Sequence, residues 1–139
     1  MDDAKRDLVH AWLVKARNDH TTARQIGALP DGPLDTAIYH CQQAAEKAVK
    51  GFLAFHDHRL ERSHDVERLV ELAAAYEPGF ARWEDAAITL TPYATAYRYP
   101  GESATLEPSR TEFDEALELA TNFVTFVLSL LPAEVQPNG

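Results

Sequence analysis

Leu34, Ile38, Cys41, Ala45, Ala48, Phe52 and Phe55 recur at alternating four- and three-residue steps. On a helix of 3.6 residues per turn that spacing puts them all on one side. Such a helix must bury its apolar stripe, and a partner can only come from segments of matching character. The rest of the chain supplies them. From about Ala4 to Ile26, Val9, Trp12, Ala16, Ala23 and Ile26 share a face, until Gly27, Pro30 and Gly32-Pro33 break the pattern. Ser63, His64 or Asp65 is placed to cap a third helix bearing Val66, Leu69, Val70, Ala73 and Tyr76, which Pro78-Gly79 stops. A fourth helix is expected from about Phe80 to Tyr97. Pro92 should kink it, or restart it with Thr91 as cap. After a loop from Arg98 to Pro108, Ser109-Arg110-Thr111-Glu112 reads as a capping box. It opens a last helix with Phe113, Ala116, Leu117, Ala120, Val124, Val127 and Leu128 inward, and Pro132 ends it. No strand pattern, repeat or low-complexity tract interrupts the series. The expected fold is all-α, one up-and-down antiparallel bundle of four to five helices over residues 1–132, with 133–139 as a mobile C-terminal tail.

A chain of 139 residues holds one sizeable core and not two. No apolar run approaches the roughly 20 residues that span a bilayer, and the charged start, Met1-Asp2-Asp3-Ala4-Lys5-Arg6-Asp7, lacks the apolar stretch of a signal peptide. The one cysteine, Cys41, lies on the apolar stripe and is expected as a small buried hydrophobe, so a cytoplasmic location is expected. Net charge is −9, unevenly spread: residues 69–139 carry three basic and eleven acidic side chains, residues 1–30 five and four. Binding to a polyanion needs clustered Lys and Arg. Contact with a nucleotide or RNA should therefore come from the N-terminal half.

The second helix carries a second stripe opposite the first: Tyr39, Gln42, Gln43, Glu46 and Lys50, with Lys47 at its edge. It admits two readings. In one, the Gln amides read a base edge, the Lys side chains neutralise phosphate and Tyr39 stacks on a ring. In the other, Glu46 and Lys50 are an exposed i,i+4 pair worth about 0.3–0.5 kcal/mol. Asp19 is the anomaly of the first helix, a carboxylate in mid-stripe. It needs a partner on the second helix, Lys47 or His40, or else it sits wet at the stripe's edge. If the second stripe is a ligand site, Lys50→Ala should weaken binding and spare stability, while Asp19→Ala should do the reverse. His56, His58 and His64 lack a third ligand at diagnostic spacing, so no metal or other cofactor is expected. His64 has its own role at a helix N-terminus, as a cap or as a seat for a phosphate. Arg98-Tyr99-Pro100 ends a helix, with Arg98 either capping carbonyls or turning to the second helix as the cation of a nucleotide site.

Taken together, these residues resemble the HEPN domain (higher eukaryotes and prokaryotes nucleotide-binding), in its branch of small single-domain prokaryotic proteins. The resemblance rests on Trp12, Ala16, Asp19 and Ala23, on Tyr39 through Lys50, on Ser63-His64-Asp65-Val66 with Leu69, and on Arg98-Tyr99-Pro100. It implies an antiparallel helical bundle, often a homodimer, commonly encoded beside a small nucleotidyltransferase. Several branches are RNA-cleaving toxins of toxin–antitoxin pairs, with an Arg and, four to six residues on, a His in the second half of the domain. Here no His follows His64, so Arg98 and Arg110 have no such partner. Arg59 and His64 match the spacing but lie between the second and third helices. No catalytic residue is assigned, Arg59 and His64 being weak candidates only. The expected function is a nucleotide- or partner-binding module with Tyr39, Gln42, Gln43, Glu46, Lys47, Lys50, His64 and Arg98 as its site. The alternative is a metal-independent ribonuclease toxin.

Overall fold

The computed structural model describes residues 1–101 and 106–138, and they form an all-helical bundle with no strand among them. The α-helices are α1 (Asp3–Ala28), α2 (Leu34–Phe55), α3 (Val66–Ala74), α4 (Glu84–Leu90) and α5 (Arg110–Ser129). The short turn between α1 and α2 makes them antiparallel neighbours, and α2 then packs against α3 and α5 as well. Val9, Leu13, Ala16 and Ala23 of α1 meet Ile38, Cys41, Ala45, Ala48 and Phe52 of α2 in the core. Gly51 permits the close approach, since a Cβ there would lie 2.9 Å from the Leu13 Cδ2. No helix among the described residues is long and apolar enough to cross a membrane.

Local signals act largely as their chemistry requires. Asp65 caps α3 by accepting from the Arg68 amide at 3.1 Å, and the Ser63 hydroxyl accepts from the Asp65 amide at 3.0 Å. Ser109 caps α5 by accepting from the Glu112 amide at 3.0 Å. The expected capping box is only half formed, however. The Glu112 carboxylate turns away from the cap and accepts from the hydroxyls of Tyr93 (2.7 Å) and Tyr97 (2.8 Å). Burial first, and then this bond, pushes the Tyr93 hydroxyl pKa upward. The bond also ties the segment before the 98–108 loop to α5. Residues 102–105 of that loop lie outside the described residues.

The fourth helix is not continuous from Phe80 to Tyr97. It breaks into a 3-10 turn (Pro78–Trp83), α4 and a second 3-10 turn (Thr91–Ala94). Pro92 cannot donate to an α ladder, and Thr91 does not cap the turn that follows. Its hydroxyl donates back to the Ala87 carbonyl at 2.7 Å and accepts from the Glu67 amide at 3.2 Å. Tyr76 likewise leaves the α3 face, packing against His56 with ring centroids 4.9 Å apart.

Residues 133–138, expected as a free tail, are docked. Val135 is buried in the core, the Gln136 amide donates to the carbonyls of Leu128 (2.8 Å) and Leu131 (3.0 Å), and Arg17 donates to the Pro137 carbonyl. Pro132 ends α5 but leaves the chain beside α1, where burial of Val135 and the bonds of Gln136 and Arg17 together hold the segment. Truncation after Pro132 should lower the unfolding free energy by about 1.5–3 kcal/mol, the worth of one buried Val. Urea midpoints of the two forms measure this, and an unchanged midpoint would count against the docking.

Candidate functional site

α2 is enclosed on both sides, and this decides the fate of its polar stripe. Gln42, Gln43, Glu46 and Lys50 are all buried, each less than a tenth exposed. Glu46 is their hub. Its Oε2 accepts from the Lys50 Nζ at 2.9 Å, and its Oε1 accepts from the Gln42 Nε2 at 3.0 Å and the His64 Nδ1 at 3.0 Å. Gln42 also donates to the His64 carbonyl at 2.8 Å, and its Oε1 accepts from Gln43 at 2.6 Å. Burial pushes the Glu46 carboxyl pKa up. The bonds from Lys50, Gln42 and His64, together with the Lys50 charge, outweigh burial and hold it below the ordinary carboxylate range.

Two expectations are corrected by this network. The Glu46–Lys50 pair is not an exposed surface pair, because the Lys50 side chain is 8% exposed and its ammonium lies 5.7 Å from the centroid of the Trp12 ring. Lys50→Ala therefore cannot spare stability while testing binding. Gln42 is fully buried with its amide engaged on both sides, so it is not free to read a base edge. Gln42 and Glu46 are buried and line neither of the clefts beside Tyr39.

Asp19 finds both expected partners on α2. Its Oδ1 pairs with the His40 Nδ1 at 2.7 Å, its Oδ2 with the Lys47 Nζ at 2.6 Å, and it is 8% exposed, so it is not a wet edge. Asp19→Ala should cost about 1–3 kcal/mol, because two polar partners lose their acceptor. Since His40 and Lys47 each keep about a quarter of their side chains in water, the loss should sit at the lower end. A thermal midpoint equal to the parent's would show the pair contributes nothing.

The open surface lies where the loop before α3 and the turn after Ala94 meet α2. Tyr39, Gln43, His64, Thr95 and Arg98 line a cleft of about 240 Å³. A neighbouring cleft of about 290 Å³ is lined by Asp35, Thr36, Tyr39, His40, Tyr97 and Arg98. Tyr39 and Arg98 are the shared wall, with the guanidinium 3.8 Å from the centroid of the Tyr39 ring. Tyr97, in the left-handed region at φ 66°, turns the chain just before Arg98. Arg98 thus faces α2 and does not cap carbonyls. His64 is not the cap of α3, a role Asp65 takes. Its side chain is 72% exposed, and because the ionised Glu46 accepts from Nδ1, Nε2 is the nitrogen left for a ligand.

The structure does not bring Arg59 to His64. Arg59 lines a separate cleft with Lys5 and Trp12. The three histidines of the 56–64 segment also go separate ways: His56 packs, tilted, between Phe52 and Tyr76, His58 pairs with the Tyr76 hydroxyl at 2.7 Å, and His64 holds Glu46. His40 was expected only as a partner of Asp19, yet it also lines a cleft. A signal for the enclosure of α2 was present in its flanks, where Ala37, Ala44, Val49 and Leu53 widen the apolar stripe well past one face.

Comparison with known proteins agrees with this architecture. Residues 9–130 match the HEPN domain. ST0689, described as an archaeal HEPN homologue, is 28% identical in its crystal structure, with a TM-score of 0.70 over 88% of this chain and 96% of that one. The crystal structure of TT1696 from Thermus thermophilus is also 28% identical, with a TM-score of 0.75 over 88% of this chain and 98% of that one. No curated protein matches the chain. With the match extending from α1 to the end of α5, the chain belongs to the HEPN domain family.

Proposed function

We propose that this chain is a HEPN module that binds a nucleotide or a short RNA segment at the Tyr39–Arg98 wall. The observation that carries this is the Arg98 guanidinium held 3.8 Å from the Tyr39 ring centroid between two open clefts, with His64 fixed on a buried carboxylate beside it. Arg98 would meet a phosphate, since a planar guanidinium pairs with phosphate oxygens through two parallel bonds. Tyr39 and Tyr99 offer ring faces to a base, and Gln43 and His64 offer polar edges. Gln42, Glu46, Lys47 and Lys50 act behind that surface, as positioning residues. The family resemblance adds a small nucleotidyltransferase as protein partner, a homodimeric state and a cytoplasmic setting to the same reading.

Arg98→Ala tests it. Arg98 is exposed, so stability should move by less than about 0.5 kcal/mol. Affinity for a fluorescent single-stranded RNA hexamer should fall at least tenfold, and the salt slope should drop by about 0.7, the loss of one phosphate contact on a single strand. If the parent binds neither the hexamer nor ATP, or if Arg98→Ala binds as the parent does, the reading fails.

The Glu46–His64 pair also supports a second reading, a metal-independent ribonuclease. A carboxylate-oriented imidazole is the arrangement of a general base, and Arg98 lies in the same cleft to meet phosphorane charge. In this chain the His precedes the Arg and comes from a different loop, unlike the pattern of the nuclease branches. The binding reading therefore expects no RNA cleavage above that of His64→Ala. Cleavage by the parent that disappears with His64→Ala would promote the toxin alternative.

A further inference from the structure

On the other side of Lys50, a cleft of about 320 Å³ opens between the N-terminal half of α1, the C-terminal end of α2 and the segment 57–61. Its walls are mostly apolar, formed by Leu8, Trp12, Leu53 and Leu60, with charged side chains and His58 around them. Leu8 and Leu60 are 53% and 55% exposed and flank one cleft, so their apolar area is contiguous with its walls. The charges at the cleft are mostly spoken for. Lys5 pairs with Asp57 at 3.0 Å, Lys50 with Glu46 at 2.9 Å, and Glu61 with Arg68 at 3.6 Å. Arg59 has no carboxylate partner among the described residues. In a chain of net charge −9, an uncommitted guanidinium above an apolar cleft is a specific local arrangement.

We propose that this cleft is a second ligand site, for an aromatic carboxylate. Its volume falls at the small end of the range for small-molecule sites, which are mostly apolar with a few polar groups that fix orientation. One uncommitted cation matches one negative charge, and a guanidinium matches a carboxylate through two parallel bonds. A free phosphate would leave the four apolar walls unused. A nucleic acid backbone, polar along its length, would leave them unused as well. A flat ring covers Leu53, Leu60 and the Trp12 indole while giving up little rotamer freedom. The site is independent of the Tyr39–Arg98 surface, which shares none of its lining residues.

The test is a titration of the full chain with 1-naphthoate, followed by amide and methyl NMR. Saturable shifts are expected at the Trp12 indole Nε1–H and at the Leu8, Leu53 and Leu60 methyls. Arg59→Ala, an exposed change that leaves the fold intact, should weaken binding at least tenfold, and neutral 1-naphthalenemethanol should bind at least tenfold more weakly than naphthoate. Arg98→Ala should leave naphthoate binding unchanged, which separates this site from the nucleotide reading. The proposal is overturned by the absence of saturable shifts at millimolar naphthoate. It is equally overturned by equal affinity for the neutral analogue, by unaltered binding in Arg59→Ala, or by loss of binding in Arg98→Ala. Shifts of the same residues that depend on protein concentration alone would show a second copy in the cleft and would also overturn it.

Discussion

Glu46→Ala is expected to lower the unfolding free energy by about 3–5 kcal/mol, the range for removing one partner of a buried ion pair. The loss is large because the carboxylate has several dependants. Without it the Lys50 ammonium, 8% exposed, has no counter-charge, and Gln42 and His64 each lose an acceptor. Glu46→Gln keeps the shape but removes the charge, so it should recover only part of the loss. Urea unfolding of the three proteins measures this, and a cost under about 1 kcal/mol would mean that water reaches Lys50. The pH dependence follows from the same group. Its folded pKa lies below its unfolded one, so its contribution is complete above the ordinary carboxylate range near 4.3 and is lost as pH falls through the folded value. The stability of Glu46→Gln should consequently fall less steeply than the parent's below about pH 4.3. His20 and His56 act in a different window. Burial first holds both imidazoles below their ordinary range, so they begin to cost stability as pH falls below about 6.5 in both proteins.

Phe80→Ala should cost about 3–5 kcal/mol, comparable to other buried Phe truncations. Phe80 is fully buried in the 3-10 turn before α4, and its ring centroid lies 4.8 Å from Phe52 of α2, with Phe123 and Phe126 of α5 at 6.2 and 5.1 Å. It therefore joins three elements through one ring. Because the turn holds few backbone bonds of its own, the loss should appear in local order as well as in global stability. Amide exchange across residues 78–94 should accelerate more than exchange across α1. An exchange pattern unchanged in 78–94 would show that α4 keeps its position without the aromatic cluster.

The helices themselves were legible because each is a local matter. The apolar steps of α1, α2, α3 and α5 report one face of one helix, and Pro33, Ser109 and Pro132 mark ends by local chemistry that needs no partner, whereas Gly27 lies inside α1, packed against Phe113. The Asp19 pairing was legible as well, since a carboxylate in an apolar stripe demands a counterpart and α2 offered only a few. Along residues 78–94 the local rules underdetermine the outcome. Pro92 rules out an unbroken ladder, but where the chain turns depends on the cavity that Phe80 and Trp83 fill among Phe123 and Phe126.

The polar stripe of α2 marks the limit more clearly. Glu46 and Lys50 have the same spacing whether they stand in water or in the interior, and periodicity reports which side of a helix is apolar, not how many neighbours enclose it. Their burial is set by groups from elsewhere in the chain, Trp12 from α1 and His64 from the loop before α3. So the sequence by itself determined an all-α chain, the ends of α2 and α5, its family and the residue types available at the site. Only the tertiary structure decided which of those residues line open clefts, Tyr39, His64 and Arg98, and which became buried behind them. The reason is physical: a charged side chain's role depends on whether its partner or water solvates it, and the partner arrives only when the helices pack.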